Sequence, residues 1–142
     1  MRVTLLLTVA LAAAALAFAA APARGDTIPG EPWCSVTAYA PYTSNGLVGG
    51  RGTLACSWPA LWDFTVCLQL YDRLDLAWSN VVCNHDWDTY YDRRISSSLV
   101  PLDWCKYYGI NLFRTWAQAH WFRDYWRTTT VISDHTYNCS GY

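Results

Sequence analysis

The stretch Ile110–Trp121, which reads INLFRTWAQAHW, decides the fold. Compact or apolar side chains occupy alternate positions, namely Phe113, Thr115, Ala117, Ala119 and Trp121. Larger or more polar side chains, Arg114 and Gln118 among them, occupy the positions between. Because successive residues of a strand point to opposite faces, this pattern predicts a long central strand with both faces in use.

Strands are predicted on both sides of this central stretch. Asp63–Tyr71 alternates cleanly, and Leu76–Cys83 beyond an Asp-rich turn is its predicted partner. After the central stretch, Arg123-Asp124 predicts a turn, and Tyr125–Ser133 predicts the last strand because it is rich in β-branched residues.

A further hairpin is predicted earlier in the chain. Trp33–Ala40 and Gly50–Trp58 alternate, and Asn45-Gly46 between them favours a hairpin turn because both residues tolerate positive φ. The polar stretch Asn84–Ser98 predicts a loop with one short edge strand near Tyr90–Ile95. We therefore predict an all-β chain, an antiparallel β-sandwich of about seven strands that is immunoglobulin-like in architecture.

The first 25 residues predict a signal peptide. Val3–Ala21 is almost wholly apolar and follows the single basic residue Arg2, and Ala21-Pro22-Ala23 matches the small-residue cleavage pattern. We place the cleavage after Ala23 or Gly25, and the latter leaves residues 26–142 as one disulfide-rich β domain; an uncleaved anchor is the alternative. We expect a secreted, extracellular protein with no membrane contact after cleavage.

The six cysteines predict a covalent framework, because an even number after a signal peptide indicates disulfides. Pairing neighbours in sequence gives Cys34–Cys56, Cys67–Cys83 and Cys105–Cys139, and the midpoint of each pair falls at a predicted turn. A bond between the two sheets, as in immunoglobulin domains, is the competing pattern, and a Cys56–Cys105 link would indicate it.

The predicted core follows from shared parity within each hairpin, which places Leu68 opposite Val82 and Phe113 opposite Val131. Its members are Val36, Leu54, Phe64, Val66, Leu68, Leu70, Trp78, Val82, Phe113 and Val131.

Charge and motif content exclude several function classes. The formal net charge is −1 and the one adjacent basic pair is Arg93-Arg94, so nucleic acid and anionic membranes are unexpected partners. No motif for a cofactor is present, and we predict none.

Several segments resemble small secreted six-cysteine proteins of actinobacteria. They are Val66-Cys67-Leu68-Gln69, Val82-Cys83, Cys105, Gly109 and Arg114-Thr115-Trp116-Ala117. The resemblance implies a secreted β-sandwich with an Ala-rich bacterial signal peptide, and it implies no activity.

Polar clusters give weak signals for chemistry. Asp86, Asp88 and Asp92 could supply oxygen ligands to Ca²⁺, although a solvated acidic loop explains them as well, because the glycine and the terminal Glu of an EF-hand are missing. Ser133-Asp134-His135 contains triad residue types, but consecutive strand residues point to alternate faces. We predict no enzyme, no bound metal, and spectator roles for the three histidines.

The aromatic content points to a contact surface. Nine Trp and ten Tyr exceed what one small core needs, although filling a core short of Leu, Ile and Met is the alternative use. A last hairpin centred on position 122, the midpoint of Cys105 and Cys139, places Trp116 opposite Thr128 and Gln118 opposite Trp126. The two indoles would then be diagonal neighbours beside Arg114.

We therefore predict a small secreted, tryptophan-rich binding protein, of bacterial origin, that contacts a glycan or a protein. The predicted site is Trp116, Trp126, Gln118, Arg114 and Thr128. A buried structural role for Trp116 is the alternative for the site. For function, the alternatives are a small secreted hydrolase using His and Asp, and a structural cell-surface component.

Overall fold

The computed structural model describes residues 23–24, 34–89, 94–122 and 124–139. In chain order, the strands of these residues are β1 (Ala23–Arg24), β2 (Cys34–Ser44), β3 (Leu47–Cys56), β4 (Leu61–Asp72), β5 (Ala77–Thr89), β6 (Ser96–Leu99), β7 (Leu102–Trp104), β8 (Asn111–Phe122), β9 (Trp126–Ile132) and β10 (Thr136–Asn138). A short 3-10 helix, Cys105–Tyr107, follows β7. Apart from β1, the predicted signal peptide lies outside the described residues, as do Asp92 and Arg123.

The strands form two five-stranded antiparallel sheets, which confirms the predicted all-β sandwich. In sheet A the order is β1, β2, β3, with β6 and β7 sharing the far edge of β3. In sheet B, β9 and β10 share one edge of β8, and β4 and then β5 follow on its other side. The stretch INLFRTWAQAHW is therefore an interior strand, as predicted. None of the described residues forms a helix long and apolar enough to cross a membrane.

Two hairpins match the predicted registers around their disulfides. Cys34 lies opposite Cys56 across β2 and β3, and the turn at Asn45-Gly46 has φ angles of 51° and 77°. Cys67 lies opposite Cys83 across β4 and β5.

The prediction of a loop from Asn84 to Ser98 was wrong over its first part. β5 continues to Thr89, which lies opposite Leu61, because β4 extends far enough to supply a backbone partner for each residue. A short edge strand lies at Ser96–Leu99; of the edge strand predicted near Tyr90–Ile95, residues 90–93 lie outside the described part, and Arg94 and Ile95 are not in a strand.

The core lies between the inner faces of the two sheets, and the alternate residues of β8 from Phe113 to Trp121 are all buried there. Seven of the ten predicted core residues are buried, namely Val36, Leu54, Phe64, Val66, Leu68, Phe113 and Val131. Leu70 and Val82 are half-buried and pack against this core.

Trp78 was wrongly predicted to lie in the core. The register of β5 shifts between Val82, which lies opposite Leu68, and Asn80, which lies opposite Gln69. The extra residue at this bulge changes the parity of the strand, because a one-residue shift moves side chains to the other face. Trp78 therefore lies on the outer face of sheet B, half-buried beside Tyr71.

Three disulfides close the framework in the predicted pairs, Cys34–Cys56, Cys67–Cys83 and Cys105–Cys139. The first two each join neighbouring strands of one sheet. The third does not span a hairpin: Cys105 follows β7 of sheet A, and Cys139 follows β10 of sheet B. The pairing is confirmed, but this bond links the two sheets.

Candidate functional site

The predicted site residues all lie on the outer face of sheet B. Arg114, Trp116 and Gln118 occupy the alternate positions of β8 that point away from the core, and Thr128 and Trp126 lie on β9. Cross-strand partners share a face of the sheet, so β4 and β5 complete this surface with their own outward residues.

The register predicted for the last hairpin was wrong by four residues. Trp116 lies opposite Ile132, Gln118 opposite Thr130, and Phe122 opposite Trp126. The prediction centred the hairpin on the Cys105–Cys139 midpoint, whereas that bond links the sheets and places no constraint on the turn. Because the shift is an even number, each side chain keeps its face, but Trp116 and Trp126 are separated by about 20 Å along the strands.

One end of the face is a closed structural network. The guanidinium carbon of Arg114 lies 4.2 Å from the ring centroid of Trp78, and Arg114 Nε donates to Gln69 Oε1 at 2.7 Å. Gln69 in turn donates to Asn80 Oδ1 at 2.8 Å. Burial lowers the pKa of Arg114 from its ordinary value. These contacts assign Arg114 to packing of the sheet.

Trp116 lies midway along β8. Its indole is half-buried on the outer face, where Ile132 lies opposite it on one side and Cys67 on the other. Cys67 is bonded to Cys83 on the next strand, so Trp116 sits beside a rigid crosslink.

The other end of the face carries two exposed indoles. Trp126 is 61% exposed at the β9 edge, and Trp87 is 59% exposed at the β5 edge. Trp87 was missed because its segment was predicted to be a loop. The available signal was its alternation with His85 and Thr89, which places all three on one face of a strand.

Polar side chains lie between these indoles. His120 Nδ1 and Thr128 Oγ1 share a hydrogen bond of 2.8 Å, and Asp63 lies opposite His120 on the next strand. Asp63 Oδ1 lies 2.5 Å from His85 Nε2, and the two side chains are 49% and 46% exposed. Solvent screens such a pair strongly, so it contributes little to stability and leaves both groups accessible.

Apolar side chains form the adjoining row. Phe122 lies opposite Trp126, with ring centroids 5.4 Å apart, and also lies opposite Leu61 on β4. Leu61 in turn lies opposite Thr89 on β5. An apolar and a polar row therefore run side by side across β9, β8 and β4, and on β5 the apolar row continues to Thr89 and the polar row to Trp87.

The acidic cluster proposed for Ca²⁺ has a different partner in the structure. Arg94 Nη1 donates to Asp86 Oδ2 at 2.9 Å, its backbone N–H donates to Asp88 Oδ2 at 2.8 Å, and Ser97 also bonds Asp86. Burial raises the pKa of Asp86, but the hydrogen bonds from Arg94 and Ser97, with the charge of Arg94, lower it overall. No group of three metal-ligating side chains occurs among the described residues.

The serine, aspartate and histidine of positions 133–135 do not form a triad. Ser133 is buried, and its hydroxyl donates to the backbone oxygen of Asp134 and accepts from the N–H of Thr115. The ring of His135 lies 6.3 Å from that of Trp78. Ser133 therefore serves to hold the chain beyond β9 against β8.

Comparison of the chain with protein-family models, curated proteins and solved structures gave no match. Functional inference therefore rests on the geometry of the outer face of sheet B.

Proposed function

We propose that this is a small secreted binding protein without catalytic activity, which contacts a glycan or a protein through the outer face of sheet B. One observation carries the proposal: Trp126 and Trp87 are both largely exposed on one open sheet face, with polar side chains between them. Indoles combine a large rigid apolar area with a polar N–H, and they dominate binding surfaces for that reason.

Secretion is supported by the covalent framework. All described cysteines are bonded, and three disulfides in so small a domain fit an oxidising extracellular compartment. The Ala-rich leader would direct the chain there, and the bonded domain would then act outside the cell.

A secreted hydrolase is the second candidate, and one observation favours it. His85 contacts Asp63, and His120 contacts a hydroxyl, so a base and a carboxylate lie on adjacent strands. Acyl transfer also requires N–H donors aimed at a developing oxyanion. The backbone of β8 pairs with β4 on one side and with β9 on the other at this level, so its N–H groups are used in the sheet. This arrangement favours binding over hydrolysis.

The proposal is tested by capture with the oxidised mature protein, offered cell-wall polysaccharides and secreted proteins in parallel. Trp126→Ala should weaken capture at least tenfold, about 1.4 kcal/mol, while the melting temperature moves little because the indole is exposed. Trp104→Ala is the matched control, since Trp104 is 50% exposed and lies on sheet A.

Two results would contradict the proposal. In the first, Trp126→Ala and Trp104→Ala weaken capture equally or not at all, which would remove the outer face of sheet B from the contact. In the second, the wild-type protein hydrolyses a component of the mixture and His120→Ala abolishes this hydrolysis, which would establish the enzyme instead.

A further inference from the structure

Two cross-strand rows lie side by side at the exposed end of sheet B, and we name them together the glycan strip. The first row consists of the polar residues Thr128, His120 and Asp63 and ends in Trp87; the second consists of the apolar residues Trp126, Phe122 and Leu61 and ends in Thr89. We propose that the ligand is an extended, uncharged glycan that crosses β9, β8, β4 and β5 along this strip. This inference rests on the proposed binding function. Trp126 and Trp87 each stack on a sugar ring.

The strip matches the amphipathic character of a sugar ring. A pyranose ring presents an apolar C–H surface on its face and hydroxyl groups around its edge. The indole of Trp126 with Phe122 and Leu61 offers apolar area for the ring face. His120, Thr128 and Asp63 each lie two residues along the strand from one of these apolar side chains, on the same face of the sheet. They offer the hydrogen-bond donors and acceptors that the sugar hydroxyls need.

The separation of the indoles sets the size of the ligand. Trp126 and Trp87 lie on strands three spacings apart, about 14 Å, and they are offset by about 7 Å along the strand direction. A monosaccharide can contact one indole at a time, whereas an oligosaccharide can contact both. Affinity should therefore rise steeply with chain length until both indoles are engaged.

The charged residues of the strip favour an uncharged glycan over an anionic one. Asp63 is the one carboxylate among its eight residues, and the strip contains no Lys or Arg. His85 already contacts the Asp63 carboxylate. A sulfated or uronic-acid chain would place its anions near this carboxylate, and the guanidinium that reaches the Trp87 carbonyl, that of Arg94, is already paired with Asp86, which disfavours such ligands.

Affinity electrophoresis of the oxidised protein in gels containing soluble polysaccharides tests the inference. Hydroxyethyl cellulose, a soluble β-1,3-glucan and a galactomannan are the neutral probes, and carboxymethyl cellulose is the anionic probe. We expect at least one neutral polysaccharide to retard the protein, and carboxymethyl cellulose to retard it less. Trp87→Ala and Trp126→Ala should each weaken that retardation at least tenfold in dissociation constant, and Trp104→Ala should leave it unchanged.

The outcomes separate this inference from the proposed function. If no neutral polysaccharide retards the protein but a protein partner is captured in a Trp126-dependent way, the glycan assignment is overturned and the binding function stands. If Trp126→Ala weakens polysaccharide binding and Trp87→Ala does not, the path across the four strands is wrong. If neither substitution has an effect beyond that of Trp104→Ala, both proposals fail. Unchanged melting temperatures in the three variants exclude loss of folding as the cause.

Discussion

The two sheets contribute to the core in opposite ways. The inner face of sheet B supplies bulk, with Trp62, Phe64 and Phe113 fully buried. The inner face of sheet A is small where it crosses that bulk: a Cβ on Gly52 would lie 2.5 Å from Val66 Cγ2, and one on Gly50 would lie 2.8 Å from Thr115 Oγ1. At these positions sheet B contributes the large side chains, and the glycines of sheet A leave the space that those side chains occupy. Close packing of the core therefore requires glycine at these positions of sheet A as much as it requires large side chains in sheet B.

The crosslinks repeat this contrast. Cys34–Cys56 points into the core from sheet A, whereas Cys67–Cys83 lies on the outer face of sheet B. Because each of these bonds lies within one sheet, packing and the Cys105–Cys139 bond must hold the sheets together. We therefore predict that a substitution that disrupts contacts between the sheets lowers the free energy of unfolding more than an equivalent substitution within one sheet.

The largest effect should follow removal of the link between the sheets. The Cys105→Ala, Cys139→Ala double variant opens a crosslink of sequence separation 34 and removes two fully buried sulfurs from the core. The chain-entropy contribution of such a bond is about 4 kcal/mol, against about 3 kcal/mol for the shorter Cys67–Cys83 loop, and the buried sulfurs add a cavity term to the first. Denaturant unfolding of both double variants checks the order. Equal losses, or a larger loss for Cys67–Cys83, would show that the sheets do not depend on their covalent link.

A smaller effect should follow the addition of one methyl group between the sheets. Gly52→Ala places its Cβ against buried Val66 and Ala117, and overpacking of this kind costs about 1–3 kcal/mol. Gly49→Ala is the matched control on the outer face of the same strand. There the new methyl group meets Leu102 and, at 3.2 Å, the ring of Tyr42, two exposed side chains that can rotate away, so the loss should be smaller than that of Gly52→Ala. If the two variants lost equal stability, close approach of the sheets at Gly52 would not be a requirement of the fold.

The strands were predictable from sequence where one face is apolar. Phe64, Val66 and Leu68 alternate with polar neighbours, and the odd positions of β8 do the same, so burial follows directly from parity. The end of β5 was missed because Asn84 to Thr89 is polar at nearly every position. Its inward Asp86 and Asp88 are compensated by Arg94, and charged side chains on an inward face hide the alternation that marks a buried strand.

The candidate site was predictable only in part. The face of Trp126 follows from alternation, but its neighbours depend on the register of β8 and β9, and a turn of uncertain length does not determine that register from sequence. Trp87 joins the site from the missed end of β5, through a pairing with β4 more than twenty residues away. Long-range pairings of this kind leave no signal in a single sequence.

The smallest predicted effect on stability concerns the turns of the two main hairpins. The turn in sheet A and the turn in sheet B differ in the residue types that adopt positive φ. The β2–β3 turn of sheet A uses Asn45 and Gly46 at positive φ, and both residue types adopt that conformation readily. The β4–β5 turn of sheet B ends with Leu76 at φ 52°, although a bulky side chain is disfavoured there. Leu76 is 74% exposed, so its side chain gains little burial in return, and Asp72 Oδ1 accepts hydrogen bonds from the backbone N–H groups of Leu74 and Asp75. Leu76→Asn should therefore stabilise the protein by about 0.5–1 kcal/mol and raise the melting temperature by a few degrees. Asn45→Leu makes the reverse exchange in sheet A and should lower the melting temperature by a similar amount. A loss of stability in Leu76→Asn would mean that the leucine makes a stabilising contact that outweighs its backbone strain.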